Sequence, residues 1–354
     1  MTTTAVAAPP ASAPAPVRGR GRAGDASARI LRVLGRGLSA LGRTALIAVP
    51  VFFFATLITF GLGAASGLSP AASLSGDEAT PERIAAINAE LGLDQPLYVQ
   101  YATWIGNVLR GDLGVSWYNG FPVSQLIAER LAITASIAGL ALVIALVLGV
   151  SLGLLAVVFR GRIVDRAITA FATAISTLPP FVVSIGLIVV LSVWLKLLPS
   201  AGYVPFAQDP GLWFTLILMP AIALSLDPAA ELARQLRTGL VVVLDQNYIV
   251  GARVRGLSPA RILWVHALRN GAGPAVAILG MKIPTLLGGA VVTETIFSMP
   301  GFGMLAADSA LRGDVPVVQG TLVVAVVLVL AFSLVVNVVL EALQPASRRG
   351  ARAE

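Results

Sequence analysis

Six long apolar blocks punctuate the chain, and a chain patterned in this way cannot fold as a soluble globule. The first runs from Ala45 to Ala65 (ALIAVPVFFFATLITFGLGAA) without a charged side chain, and the others lie near 132–158, 167–195, 212–230, 274–297 and 317–341. A helix of about 20 residues crosses roughly 30 Å of hydrocarbon. Inside lipid every backbone N–H and C=O must be satisfied within the protein, and continuous blocks of this length do so as helices. The composition agrees. Hydrophobic residues are 56% of the 354 and charged residues 12%, too few charges to cover a soluble surface. The predicted fold class is all-α, a polytopic membrane protein with six transmembrane helices. The first block is too long for a secretory h-region and no clear cleavage site follows it, so it reads as a retained span.

Charge between the blocks predicts the orientation. Seven arginines lie in the N-terminal tail, three at Arg160, Arg162 and Arg166, six between 231 and 272, and three in the C-terminal tail. These nineteen would all face one side. The alternate loops carry only Arg83, Arg110, Arg130, Lys196 and Arg312, and the stretch from Asp77 to Glu129 carries seven acids. The positive-inside bias puts the nineteen, and therefore both termini, in the cytosol. The net charge of +7 is thus segregated by loop rather than gathered into a patch for nucleic acid. The expected organisation is a disordered basic cytosolic tail (1–43), a first span (44–66), an extracytoplasmic loop with short helices (67–131), a core of spans two to six (132–345) and a cytosolic tail (346–354).

Two loops carry structure of their own. In the outer one, Thr80-Pro81-Glu82 opens a helix, with a hydroxyl cap, proline in the first turn and an acid near the positive dipole end; Gly92 stops it. Leu97, Tyr101, Trp104, Ile105 and Val108 then recur at helical spacing, an amphipathic helix suited to an interface. This loop is either a small structured cap or a docking surface. In the inner loop 231–272, a short helix ends at Gly256 and Ser258-Pro259 opens another. Tyr248, Ile249, Leu257, Ile262, Leu263 and Trp264 are too apolar for a solvated basic loop, so this helix pair needs a partner surface.

Little catalytic chemistry is available. There is no cysteine, and the single histidine, His266, leaves too little for a zinc or haem site. Gly149-Val150-Ser151-Leu152-Gly153 fits a nucleophile pattern, but it lies within an apolar helix instead of a strand-turn-helix, where its glycines permit close helix packing. Neither lysine follows a glycine-rich phosphate loop, so this chain cannot cradle ATP phosphates by that route. Pro179-Pro180 interrupts the third span and predicts a kink, for packing or for a pathway. Lys282 falls within the fifth span, where a cation costs about 2.5–3.5 kcal/mol on insertion scales; it either snorkels or pairs structurally, or it faces a pathway. Glu294 nears the other end of the same span.

Several runs resemble one family. Gly251-Ala252-Arg253-Val254-Arg255-Gly256-Leu257-Ser258 is similar to the T-A-R-A-K-G-L-S form of the coupling loop in the dipeptide/oligopeptide branch of ATP-binding-cassette importer permeases. In the wider family that loop carries E-A-A, three residues, then G; here Val250, Gly251 and Ala252 fill the three positions, so the glutamate and first alanine are missing. His266-Ala267-Leu268-Arg269-Asn270 with Pro274, Leu91–Tyr101 (LGLDQPLYVQY), Gly111–Ser116 (GDLGVS) and Thr293–Gly303 (TETIFSMPGFG) resemble the same branch, in order over about 44–345. The resemblance implies a type I importer permease, the first of two homologous permease subunits, in a bacterial inner membrane among its lipids. It implies two cytosolic ATPase domains holding ATP and Mg²⁺, an extracytoplasmic solute-binding protein, and a peptide substrate. It further implies that Val250, Gly251, Ala252, Arg253, Arg255, Gly256, Leu257, Ser258 and His266 couple to the ATPases and that Asp94, Gln95, Gly111 and Asp112 meet the binding protein. Pro179 and Pro180 by their kink and Lys282 by its buried charge are pathway candidates, joined by Glu294, which lies in a matching run. The competing class is a self-sufficient ion-coupled secondary transporter, which would usually show internal repeats and buried acid or histidine relays; no half-to-half repeat is evident.

Overall fold

The computed structural model describes residues 46, 48–67, 69–75 and 80–343. The expected disordered tail 1–43 and the C-terminal tail from 346 lie outside them. Fourteen helices make up the described chain, in the order α1 (Ala48–Ala65), α2 (Pro70–Ser75), α3 (Pro81–Glu90), α4 (Leu97–Leu109), α5 (Val123–Val158), α6 (Ile163–Thr177), α7 (Pro180–Leu187, continued as a π-turn to Trp194), α8 (Pro210–Leu244), α9 (Asn247–Val254), α10 (Pro259–Arg261, continued as a π-turn to Ala267), α11 (Leu268–Gly271), α12 (Gly273–Ile296), α13 (Phe302–Arg312) and α14 (Val315–Leu343). No strand occurs among the described residues; the one β-type contact is an isolated bridge from Val115 to Pro122.

Four helices, α1, α5, α8 and α14, are long and apolar enough to cross a membrane unbroken, and two bent pairs bring the count to six. The α6–α7 pair turns by 102° between Thr177 and Pro180. Pro180 cannot donate to the preceding turn and Pro179 cannot stay helical ahead of it, so the predicted kink becomes a break. The α12 pair bends by 51° between Leu286 and Gly288, next to Pro284 and a glycine pair, ordinary causes of kinks.

Helix boundaries differ from the sequence expectation at two spans. α5 begins at Val123, not near 132, and α8 continues to Leu244, well past 230. Hydropathy marks the part of a helix that lies in lipid; nothing in it stops the helix from continuing, and the next stop signals are Pro122 and Asp245. Arg234 and Arg237 therefore sit on α8 and not in a loop.

Between helices in lipid there is no hydrophobic drive to association, so close packing of small residues does the work. Gly149 and Gly153 of α5 face α8 so closely that a Cβ on Gly149 would lie 2.9 Å from the Ala229 carbonyl oxygen and 2.7 Å from Leu232 Cδ2; on Gly153 it would lie 3.0 Å from the Ala233 oxygen. Gly239 of α8 meets Gly271 of α11 with no room for a Cβ on either. Ser151 is exposed, so the nucleophile-like pattern is a helix-packing pair. Gly149→Leu is expected to separate α5 from α8 and abolish accumulation of folded protein, as overpacking of 1–3 kcal/mol or more predicts. Size-exclusion chromatography of the detergent extract checks this, and a wild-type profile would contradict it.

The loop before α5 is tied to the α13–α14 turn. Asp314 accepts from Ser116 Oγ at 2.5 Å and from the Trp117 N–H at 3.2 Å, and the Tyr118 hydroxyl donates to the Arg312 carbonyl. Burial pushes the Asp314 carboxyl above the usual carboxylate range, against the pull of the Ser116 bond. A raised folded pKa binds its proton more tightly than the unfolded chain does. Its stabilising contribution is complete below the unfolded value of about 3.9 and is lost as pH rises through the folded value. Melting measured across this range should show a pH slope that Asp314→Asn flattens; an unaltered slope would contradict the assignment.

Candidate functional site

The first candidate surface lies between α8 and α12. α9 ends as the Gly256 reading requires: Gly256 has φ +77°, its N–H donates to the Arg253 carbonyl at 2.9 Å and the Leu257 N–H to the Ala252 carbonyl at 3.2 Å. This is a Schellman closure, and Leu257 packs back on Ala252 and Ile249 as such closures favour. Ser258 then caps α10 by accepting from the Arg261 N–H at 3.3 Å, with Pro259 in the first turn.

The pair buries part of the apolar set that the sequence reading assigned to a partner. Ile249, Ala252 and Ile262 are sealed between the two helices, with Leu257 against them. Tyr248 and Trp264 do face outward, joined by Val250, Val254 and Val265, which are 50%, 82% and 56% exposed. Gly251, Arg253, Arg255, Gly256 and Ser258 are exposed, Leu257 and His266 half-buried. Asn270 ties the surface together, donating to the Tyr248 hydroxyl at 3.1 Å and the His266 carbonyl at 2.9 Å. The outcome is a basic and apolar outward face on a locally rigid helix pair.

Next to this pair, α8 is fixed to α6 and to the α5–α6 loop by ion pairs that sequence reasoning did not single out. Asp165, buried at the start of α6, takes a two-bonded grip from Arg237 of α8 at 2.5 and 2.8 Å and also accepts from the Gly161 N–H at 2.9 Å. Arg160 grips Asp245, the residue that ends α8, at 2.8 and 3.0 Å. That pair is exposed, and the Arg160 guanidinium holds the Asp245 carboxyl below its usual value.

A second candidate region lies among the spans. Beyond the α6–α7 break, a cavity of about 350 Å³ is walled by Pro180, Phe181, Leu224, Asp227, Thr285 and Val292. Pro180 and Phe181 line it, so the bend shapes it. Lys282 Nζ lies 2.7 Å from Asp227 Oδ2, and thus pairs across helices instead of snorkelling. The signal for Asp227 was present, a lone acid inside the block 212–230, opposite in sign to the lone cation of the fifth span.

Glu294 takes a different place from the pathway expectation. It is completely buried. Thr134 Oγ1 donates to one carboxyl oxygen, the Met304 N–H donates to the other at 2.8 Å, and Thr134 in turn accepts from the Phe302 N–H at 2.8 Å. Gly301 lies against the carboxyl with no room for a Cβ. Glu294 thus seats the N-terminus of α13 against α5 and does not line an open wall. Pro179 sits at the bend itself.

The residues matched to a binding-protein contact are all exposed: Asp94 and Gln95 before α4, Gly111 and Asp112 after it. α3 and α4 form where the sequence predicts, with Thr80 accepting from Arg83 N–H at 3.3 Å. Tyr101 fastens α4 to α1 through its hydroxyl, 2.8 Å from Thr56 Oγ1.

Comparison with known proteins decides the family. Residues 145–349 match the family of binding-protein-dependent transport system inner membrane components, and 38–138 match the N-terminal region of the same membrane components. The chain belongs to this family. It is 38% identical over 301 residues to a putative peptide transport system permease protein of Brucella abortus, covering 85% of this chain and 96% of that one. It is 34% identical over 326 residues to the dipeptide transport system permease protein DppB of Escherichia coli K12, with the same coverage of both. Inward-facing structures of the MetNI methionine transporter share the fold, with a TM-score of 0.52 at 18% identity over 62% of this chain and 97% of that chain. The chain is a membrane-embedded transport permease, and this membership favours the importer reading over the ion-coupled secondary transporter.

Proposed function

We propose that this permease is the transmembrane subunit of an ATP-driven importer and forms, with a second homologous permease, the path for peptides delivered by an extracytoplasmic solute-binding protein. ATP and Mg²⁺ are then held by two cytosolic ATP-binding-cassette domains on partner chains, and this chain catalyses no reaction itself. The observation that carries the reading is the α9–α10 pair: a capped, outward-facing apolar and basic surface in a chain whose relatives over 85% of its length are named as permeases of peptide systems.

In this reading the surface from Val250 to Ser258, with His266 behind it, receives the ATPase. Nucleotide-driven closure there displaces α9 and, through α8, the spans as rigid bodies. The loop carrying Asp94, Gln95, Gly111 and Asp112 faces the binding protein, and both termini are cytosolic. Reconstitution of the permease pair with its ATPases and binding protein in liposomes tests the whole assignment: labelled dipeptide should accumulate only with ATP. Uptake driven by an ion gradient without the ATPases would refute it.

Orientation has a separate check, made simple by the lack of native cysteine. Cysteines introduced at Asp94 and Gln208 should react with an impermeant thiol reagent added to intact cells, while those at Arg162 and Ala260 should react only after lysis. All four positions are exposed on the chain. Labelling of Ala260→Cys from outside would invert the topology.

A further inference from the structure

The ion pair between α8 and α12 calls for an explanation that packing alone does not supply. A lone charge within a span is costly, so each of Asp227 and Lys282 makes the other tolerable. Yet well-packed apolar residues of similar volume serve at least as well as an internal ion pair. The pair is also not sealed: Lys282 and Asp227 keep 23% and 26% of their side-chain surface exposed. Asp227 forms part of the wall of the 350 Å³ cavity, whose other walls are mainly apolar. One turn along α8, Glu231 is held by Arg234 and Gln235 of its own helix, whereas the partner of Asp227 comes from another helix.

We propose that Asp227 and Lys282 read the two free termini of a zwitterionic peptide as it passes the spans. The Asp227 carboxylate takes the peptide ammonium and Lys282 takes the peptide carboxylate, so each charge swaps one partner for another. A peptide with both termini free carries one charge of each sign, and the exchange leaves no charge unpaired. A peptide capped at one end leaves one member of the pair without a partner in a low-dielectric place, where that is costly. Apolar walls around the cavity make no demand on side-chain identity, so peptides of different sequence are read by the termini they share. This inference rests on the peptide-import reading and adds the chemical basis of selection within the membrane.

The test uses the complete reconstituted complex with one saturating binding protein in every arm, so that protein's own preference cancels between variants. Uptake of Ala-Ala is compared with N-acetyl-Ala-Ala and with Ala-Ala amide. The Asp227→Asn/Lys282→Gln double variant keeps a neutral hydrogen-bonding pair of similar volume. It should lower the preference for the free dipeptide by about tenfold, the scale of one hydrogen bond to a charged group. Lys282→Gln alone should relax rejection of the amide only, and Asp227→Asn alone rejection of the acetyl form only. A double variant that assembles and keeps the wild-type preference overturns the proposal. So does a neutral pair that fails to assemble while the reversed pair, Asp227→Lys/Lys282→Asp, assembles with unchanged preference, because the bridge is then structural. Lack of any peptide uptake by the wild-type complex would instead remove the import reading and this inference with it.

Discussion

A Gly256→Glu complex should bind its partners' substrates yet fail to transport them, with ATP-dependent uptake falling to background. Gly256 holds φ +77° to close α9, a conformation that costs a residue with a Cβ about 1–2 kcal/mol. Open space surrounds the missing Cβ, so the effect does not come from a clash. It comes from losing the Schellman turn that fixes α9 against α10, and from placing an acid in a basic surface. Gly256→Ala shares the backbone strain without the charge and should retain part of the uptake; Arg253→Ala or Arg255→Ala, exposed and worth about 0–1 kcal/mol each in any pair, should cost less still. The measurement is binding-protein-stimulated ATP hydrolysis in liposomes. Wild-type stimulation with Gly256→Glu would show that this loop is not where the ATPase acts.

Glu294→Ala should lower the stability of the solubilised permease by about 2–5 kcal/mol, the range for truncating a large buried side chain. It strips the Met304 N–H of its acceptor, unseats Thr134 from its place between Glu294 and the Phe302 N–H, and leaves a void beside Gly301. Unmet buried donors alone cost about 1–3 kcal/mol each. Glu294→Gln keeps one acceptor oxygen and should lose less than half as much. Thermal unfolding followed by intrinsic fluorescence distinguishes the two. An unchanged midpoint in Glu294→Ala, accompanied by altered uptake, would return this residue to the pathway.

How much of this was legible beforehand depended on sequence distance. The Gly256 turn, the Ser258 and Thr80 caps and the break at Pro179-Pro180 rest on neighbours a few residues apart, and each appears in the structure where the residues imply it. The pairs that fix one helix against another were not legible: Asp165 with Arg237, Thr134 with Glu294 and Ser116 with Asp314 lie 72, 160 and 198 residues apart. Glu294 shows why this matters. An acid near the end of an apolar block reads as a group facing water, and only the arrival of α5 and α13 turns it into a buried clasp. The inner loop erred in the opposite sense, because Ile249 and Ile262 satisfy each other and leave Tyr248, Val250, Val254, Trp264 and Val265 exposed.

α8 is a single helix of 35 residues, about 50 Å from end to end. It crosses α5 most closely where Gly149 and Gly153 admit Ala229, Leu232 and Ala233, nearer its C-terminal than its N-terminal end. About 20 Å of helix lies between that crossing and Leu244, and about 30 Å between it and Pro210. If the helix moved rigidly about that crossing, the Pro210 end would travel about 1.5 times as far as the Leu244 end and in the opposite direction, in proportion to the two arm lengths. Asp165 ties α6 to Arg237 on the short arm, whereas Asp227 lies within about one turn of the crossing and would move least. Two glycines thus set where α8 can turn against α5, and with it which end of the helix would travel further.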